Sequence, residues 1–148
     1  MKNKVYSLLS GQVQCVLATI NNQQPNLHLM AYAFSADLCE IYMASLQNTQ
    51  KVHNMRHCPD VTCLWDNRTG NFSDHIGGFA MSGFGTAVEL TAEIAASKRN
   101  LLLERNPTLS GLLAESSVVI FAVHIDRYQW VEGYTKSMIF EPELSPFN

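Results

Sequence analysis

The sequence is poor in charge: 16% of its 148 residues are Asp, Glu, Lys or Arg, against 47% apolar, and the net charge is −3. A chain without a basic excess has no field for tracking a nucleic-acid backbone, so nucleic acid is not expected as a partner, although a local patch can still hold one phosphate group. No apolar run reaches the ~20 residues that a membrane-spanning helix needs, so no membrane partner is expected. The opening MKNKVYSLLSGQVQCVLATI carries two lysines, but Ser10, Gln12 and Gln14 break its apolar residues well short of an export core. The four cysteines, at 15, 39, 58 and 63, lack the spacing of a disulfide framework, and three of them lie in strand-like runs where a thiol packs as a small hydrophobe. Free thiols and no export core make the cytoplasm the expected compartment.

There is also no internal repeat, low-complexity tract or linker, and the length suits a single domain over residues 1–148. With so few charges, a domain this small is expected to hide part of its apolar surface in a subunit interface, which predicts a homodimer.

What is present is mostly strand. Residues 2–11 read as a short amphipathic helix with Val5, Leu8 and Leu9 on one side and Gly11 as its stop. QCVLATI, the turn-like NNQQP, NLHLMAYAF, a turn at Ala36 and Asp37, and CEIYMAS then predict a meander of three antiparallel strands. A helix follows, ended by Pro59, and VTCLW is a fourth strand. DNRTGNFSDHIGG is a polar loop long enough to form a lid or rim. In the long strand FAMSGFGTAVEL, Gly83 and Gly85 mark bends or bulges; Val88 stands where a dinucleotide fingerprint needs its last glycine, and no helix opens directly afterwards.

TAEIAASKRNLLLERNP is the clearest helix, with Thr91 as cap, Glu93 at its positive end, Lys98, Arg99 and Arg105 towards the other, and Pro107 beyond it. After a small turn, TLSGLLAES, the runs VVIFAVHI and RYQWVEGY predict two closing strands separated at Asp126 and Arg127, and SMIFEPELSPFN an extended arm. Many meandering strands and few helices predict a mainly β fold, a small antiparallel barrel rather than a parallel α/β sheet.

One stretch breaks a local rule. In ASLQNTQKVHNMRHCPDV a helix opens with Lys51 in its first turn and no carboxylate beside it, although the helix dipole disfavours a cation there by ~0.3–1 kcal/mol. Asn48 and Thr49 are good cap residues, yet they leave further backbone donors aimed at the same point. Such donors, a hydroxyl and an ammonium together suit a phosphate without any glycine-rich loop. The bland alternative is a solvated surface lysine.

Other constellations carry less. His53 and His57 can share a helical face, but Cys58 points elsewhere and Cys63 lies in a strand, so no metal site is expected. Asp74 and His75 are adjacent in a loop, a poor geometry for an acid and its partner. Ser82, Ser116 and Ser117 lack a nucleophile elbow.

VLATINNQQPNLHLMAYAF, IYMASLQNTQKVHNMRHCPDVTCLW and SGFGTAVEL together resemble the opening hairpin, the strand–turn–helix unit and the strand entering the long helix of the pyridoxamine 5′-phosphate oxidase-like family, the FMN-binding split barrels. The resemblance implies a split antiparallel β-barrel and a homodimer with FMN at the subunit interface, held by residues of both chains. It also implies flavin redox chemistry with a small-molecule substrate or electron donor. It puts the phosphate-binding turn on Thr49, Gln50 and Lys51, Ser45 near the ribityl chain, the strand residues His28, Leu29, Met30 and Ala31 along the flavin ring, and Trp130 near the partner subunit's flavin.

The chain departs from the family pattern in three places. His28 stands where many relatives carry arginine, Ala80 falls near a glutamine that reaches the flavin, and YTKSMIFEPELSPFN lacks the C-terminal arginine and histidine motif for a substrate phosphate. Oxidation of pyridoxamine phosphate is therefore not expected. No catalytic side chain is expected either, because the isoalloxazine itself carries the redox chemistry. Alternatives are a non-catalytic flavin carrier, a deazaflavin ligand, or a haem-binding split barrel with His28, His75 or His124 as axial ligand.

Overall fold

The computed structural model describes residues 1–144. Helix α1 (Lys2–Gly11) buries Val5, Leu8 and Leu9 as its apolar spacing predicts, and takes in Gly11 instead of stopping before it. Strands β1 (Gln14–Asn21) and β2 (Gln24–Ala31) form a hairpin tighter than NNQQP suggests: only Asn22 and Gln23 connect them, with φ of 48° and 66°. A turn with both central residues left-handed matches the natural twist of paired strands. Pro25 is thereby drawn into β2, which tolerates it because β2 ends the sheet's hydrogen-bonded path.

The three-strand meander does not form. NLHLMAYAF divides at Tyr32 into β2 and the short β3 (Ala33–Phe34), and β4 (Glu40–Leu46) pairs with β3 and β7 (Val118–Glu132) rather than with β2. With β5 (Asp60–Asp66) and β6 (Phe79–Glu89), the antiparallel sheet runs in the order β2-β1-β5-β6-β7-β4-β3. Its first and last members are consecutive in sequence, so the sheet curls until its ends meet at Tyr32, producing a split barrel. The bend is fixed by polar contacts: the buried Tyr32 hydroxyl donates to the Leu9 carbonyl at 2.7 Å, while the Tyr32 carbonyl accepts from Arg105 Nε and Asn106 Nδ2, both at 3.0 Å.

Helix α2 (Gln50–His57) precedes β5 (Asp60–Asp66), and the polar loop after β5 contains one short helix, α3 (Asp74–Gly77), before β6 (Phe79–Glu89). Two closing strands were expected where there is one: β7 (Val118–Glu132) is continuous for 15 residues. The polar Asp126 is a bulge within it, since Phe84 faces Arg127 and Gly85 faces Ile125. Bulges bend a strand without ending it. The bend also divides β7's other edge, so β4 pairs with its first half and β8 (Lys136–Phe140) with its second. The expected arm is thus a strand over 136–140, and residues 145–148 of that arm lie outside the described residues.

Leu17, Met30, Val61, Cys63, Trp65, Met81, Val123 and Tyr128 fill the barrel, with Val52 and Met55 of α2 closing one part of it. A second apolar layer lies outside β4 and β7, where Tyr42, Ala44, Ile120 and Ala122 meet Leu102 of α4 (Ala92–Arg105) and Leu113 of α5 (Ser110–Ala114). TLSGLLAES is therefore helical where a turn was expected, because Leu113 buries itself against that layer. Among the described residues all four cysteines are free thiols, and no helix is long and apolar enough to cross a membrane.

Candidate functional site

The end of β4, the turn after it and the start of α2 border a groove of about 340 Å³ lined by Met30, Ser45, Thr49, Lys51, Gln14 and Leu112, among others. Leu29, Ala31 and Leu109 line it as well. These positions come together from strands and helices far apart in sequence, and the barrel's closure at Tyr32 is what brings β2 beside the end of β4.

The donors at the groove are arranged for an anion. The Ser45 and Thr49 hydroxyl oxygens are 3.0 Å apart, and the Thr49 hydroxyl donates to the Leu46 carbonyl at 3.0 Å. Thr49 is the N-cap of α2, yet its side chain caps nothing, so the first backbone N–H groups of this eight-residue helix have no side-chain acceptor. Lys51 is half-buried, and among the described residues it has no ion pair within 4 Å. Backbone N–H groups and an ammonium without an ion pair among the described residues make a donor set that fits a phosphate group, and the two hydroxyls would join it by leaving each other and the Leu46 carbonyl.

Gln50 turns away from the groove, donating from Nε2 to Asn54 Oδ1 at 2.7 Å. Asn54 donates from Nδ2 to Thr19 Oγ1 at 2.9 Å, and Thr19 Oγ1 is 2.8 Å from His28 Nε2. His28 therefore lies under α2 rather than in the wall of the groove. Its burial first, and the Lys51 charge second, push the imidazole pKa down and favour the neutral ring.

Trp130 lies elsewhere in the chain's fold. Its ring stacks on Phe79 at 4.5 Å, its Nε1 donates to Glu132 at 2.9 Å, and it borders a separate groove beside α1. His75 Nδ1 is 3.0 Å from the Tyr134 hydroxyl on an exposed rim, and His124 pairs with Glu40 at 2.9 Å. His53 and His57 meet with tilted rings on the exposed face of α2, whereas Cys63 is sealed in the barrel.

Sequence reasoning missed Thr19, Asn54, Gln14, Leu109 and Leu112. Thr19 left a signal: it is a polar residue in the inward-facing series Cys15, Leu17, Thr19 of β1. Asn54 left no such signal, because it stands two residues after Val52, on another side of the helix, and only packing buries it with Val52 and Met55. Leu109 and Leu112 left none, because the segment that carries them has no periodicity long enough to read.

No family model matches the chain, and no curated protein matches it. Solved structures do match. A haem-binding protein from Mycobacterium smegmatis is similar over 90% of this chain and 55% of its own length, at 14% identity and a TM-score of 0.77. A FAD-binding protein from Mesorhizobium loti is similar over 88% and 93% of the two chains, at 18% identity and a TM-score of 0.71. A candidate pyridoxamine 5′-phosphate oxidase from Listeria innocua is similar over 88% and 97%, at 17% identity and a TM-score of 0.70. The chain spans little more than half of the first of these proteins. Likeness at such identities establishes the fold: this is the split barrel of the pyridoxamine 5′-phosphate oxidase-like proteins.

Proposed function

We propose that the protein is a cytoplasmic, homodimeric FMN-binding flavoprotein that exchanges electrons with a small-molecule substrate or donor. The observation that carries this reading is the unpaired Lys51 at an uncapped helix start, beside the Ser45 and Thr49 hydroxyls. Lys51 would hold the phosphate charge, the backbone of Gln50 and the Thr49 hydroxyl, once turned from the Leu46 carbonyl, would donate to its oxygens, and Ser45 would face the ribityl chain. The apolar edge from Leu29 to Ala31 offers one wall for a flat ring. When bound, the flavin would supply the hydride and electron chemistry, and the chain's own task is to hold and cover it.

Homodimerisation is supported by the outer face of the sheet. Leu27 and Leu29 are 70% and 69% exposed, and the strand register sets Ala18 beside Leu27, Val16 beside Leu29 and Leu64 beside Val16. A second copy seated on this face would bury a continuous apolar surface and close the open side of the groove at Leu29. Trp130 would then contact the flavin held by the other subunit. The cytoplasmic location is supported by the four free thiols.

The test is purification without added cofactor, followed by the absorption spectrum and the mass of the released ligand. Flavin bands and the mass of FMN are expected. A deazaflavin mass would replace the cofactor but keep the phosphate site. Anaerobic reduction by NADH or NADPH and reoxidation by an acceptor distinguishes an enzyme from a carrier. A second reading is haem binding, favoured by the likeness to the mycobacterial haem-binding protein. It predicts a Soret band, and that result would overturn the flavin reading.

A further inference from the structure

A chain of hydrogen bonds behind Lys51 ties α2 to β1 and β2. Thr19 and Asn54 are 0% and 1% exposed, at positions where their inward neighbours are apolar, and burying polar side chains there is tolerated only because each is fully engaged. The chain starts at Gln50, next to Lys51 in the first turn of α2, and ends at His28 on β2. Its direction can be read link by link. Gln50 Nε2 donates to Asn54 Oδ1, which leaves Asn54 Nδ2 as donor to Thr19 Oγ1. The Thr19 oxygen accepts that bond, so its own proton is free to go to His28 Nε2. An imidazole that accepts at Nε2 carries its proton on Nδ1 and is neutral.

We infer that Thr19 and Asn54 are positioning residues that hold His28 as a neutral Nδ1–H imidazole behind the anion site, and that an anion on Lys51 reverses the relay and loads His28 with a proton. The reversal balances. His28 takes one proton from solvent and donates from Nε2 to Thr19, Thr19 donates to Asn54 Oδ1, and the Asn54 and Gln50 amides both turn, so that Asn54 Nδ2 donates to Gln50 Oε1. No covalent bond other than N–H changes, and the number of hydrogen bonds is the same in both directions. Burial is the larger cause that keeps His28 neutral and the Lys51 charge the smaller, and an anion that neutralises Lys51 removes the second of them. The site would thereby match its charge to the ligand's, positive by one with the anion absent and by two with it present.

This inference rests on the proposed phosphate site, but part of its test does not. Long-range ¹H–¹⁵N spectra of the ligand-free protein report the His28 tautomer directly. The neutral Nδ1–H form is expected at pH 7.5, and an Nε2–H ring would overturn the relay. Thr19→Val keeps the β-branched shape of a buried strand residue and should lose the tautomer preference, while Thr19→Ser should restore it. A preference unchanged in the valine variant would overturn the assignment, and folding of the serine variant keeps the comparison readable should valine fail to fold. With FMN bound, the His28 pKa should rise, and with riboflavin, which lacks the phosphate, it should not. Equal titration with both ligands would overturn the coupling. Failure of wild-type protein to bind FMN at all would instead count against the flavin reading, and the tautomer result would still stand or fall independently.

Discussion

Arg105 at the end of α4 donates from Nε to the carbonyl oxygen of Tyr32, 73 residues earlier, at the one point where the ends of the curled sheet meet. The same guanidinium reaches the Gln12 carbonyl at 2.7 Å and the Leu9 carbonyl, both at the end of α1. In the sequence Arg105 looks like a residue suited to its own helix C-terminus. Its tertiary task is to satisfy another helix's last carbonyls and the barrel's bend together.

Arg105→Ala should therefore destabilise the fold by roughly 2–4 kcal/mol, the range for charge-assisted hydrogen bonds lost from partly buried carbonyls. Urea unfolding followed by tryptophan fluorescence measures it. A change below ~0.5 kcal/mol would mean that water replaces the guanidinium without loss.

Gly85 is required by the bulge opposite it. A Cβ at residue 85 would meet the His124 carbonyl oxygen at 2.1 Å, a backbone atom that cannot swing aside. Gly85→Ala is expected to cost about 2–4 kcal/mol. Gly111→Ala, in α5 with nothing within 4 Å of the new methyl, is the matched control and should be neutral or mildly stabilising. Thermal melts of the pair compare them.

Lys51→Ala should weaken FMN binding by roughly 1.5–3 kcal/mol, the range for a charged hydrogen bond, and leave riboflavin binding nearly unchanged. Flavin fluorescence titration of both ligands reads the difference. An unchanged FMN titration would remove Lys51 from the site.

Leu27→Glu should convert a dimer to a monomer at micromolar concentration, because a charge would stand in the centre of the apolar outer face. Sedimentation velocity checks this. Leu27 is not among the residues lining the Lys51 groove, so a dimer that persists would move the interface to another face.

Glu132 accepts from Lys4 and Trp130 and is paired with Lys136, and these partners, Lys4 first, draw its pKa from the ordinary 4.5 down to about 2. Because the folded value is the lower one, the stabilisation is complete above 4.5 and is lost as pH falls towards 2. Glu132→Gln should flatten the acid limb of the stability curve in that window. The effect should shrink in high salt, since the carboxylate is exposed to solvent.

Much of the local structure was legible in the sequence, because it depends on residues a few positions apart. The apolar spacing of Val5, Leu8 and Leu9 fixes α1, Pro59 ends α2, and the alternation in β1 and β5 sets their inward faces. The anomaly of Lys51 was legible for the same reason: a cation without a carboxylate in the first helical turn is a local fact. Strand pairing beyond the first hairpin was not, since nothing local in NLHLMAYAF says that its two halves will join opposite ends of the sheet. That depends on contacts from Tyr32 to Leu9, Arg105 and Asn106, which only closure of the barrel brings within reach. Nor could the neighbourhood of Lys51 be read, because Thr19, Asn54 and His28 meet only after a hairpin and a helix have packed together. The sequence by itself determined which residues were out of place, and the tertiary structure alone decided what surrounds them.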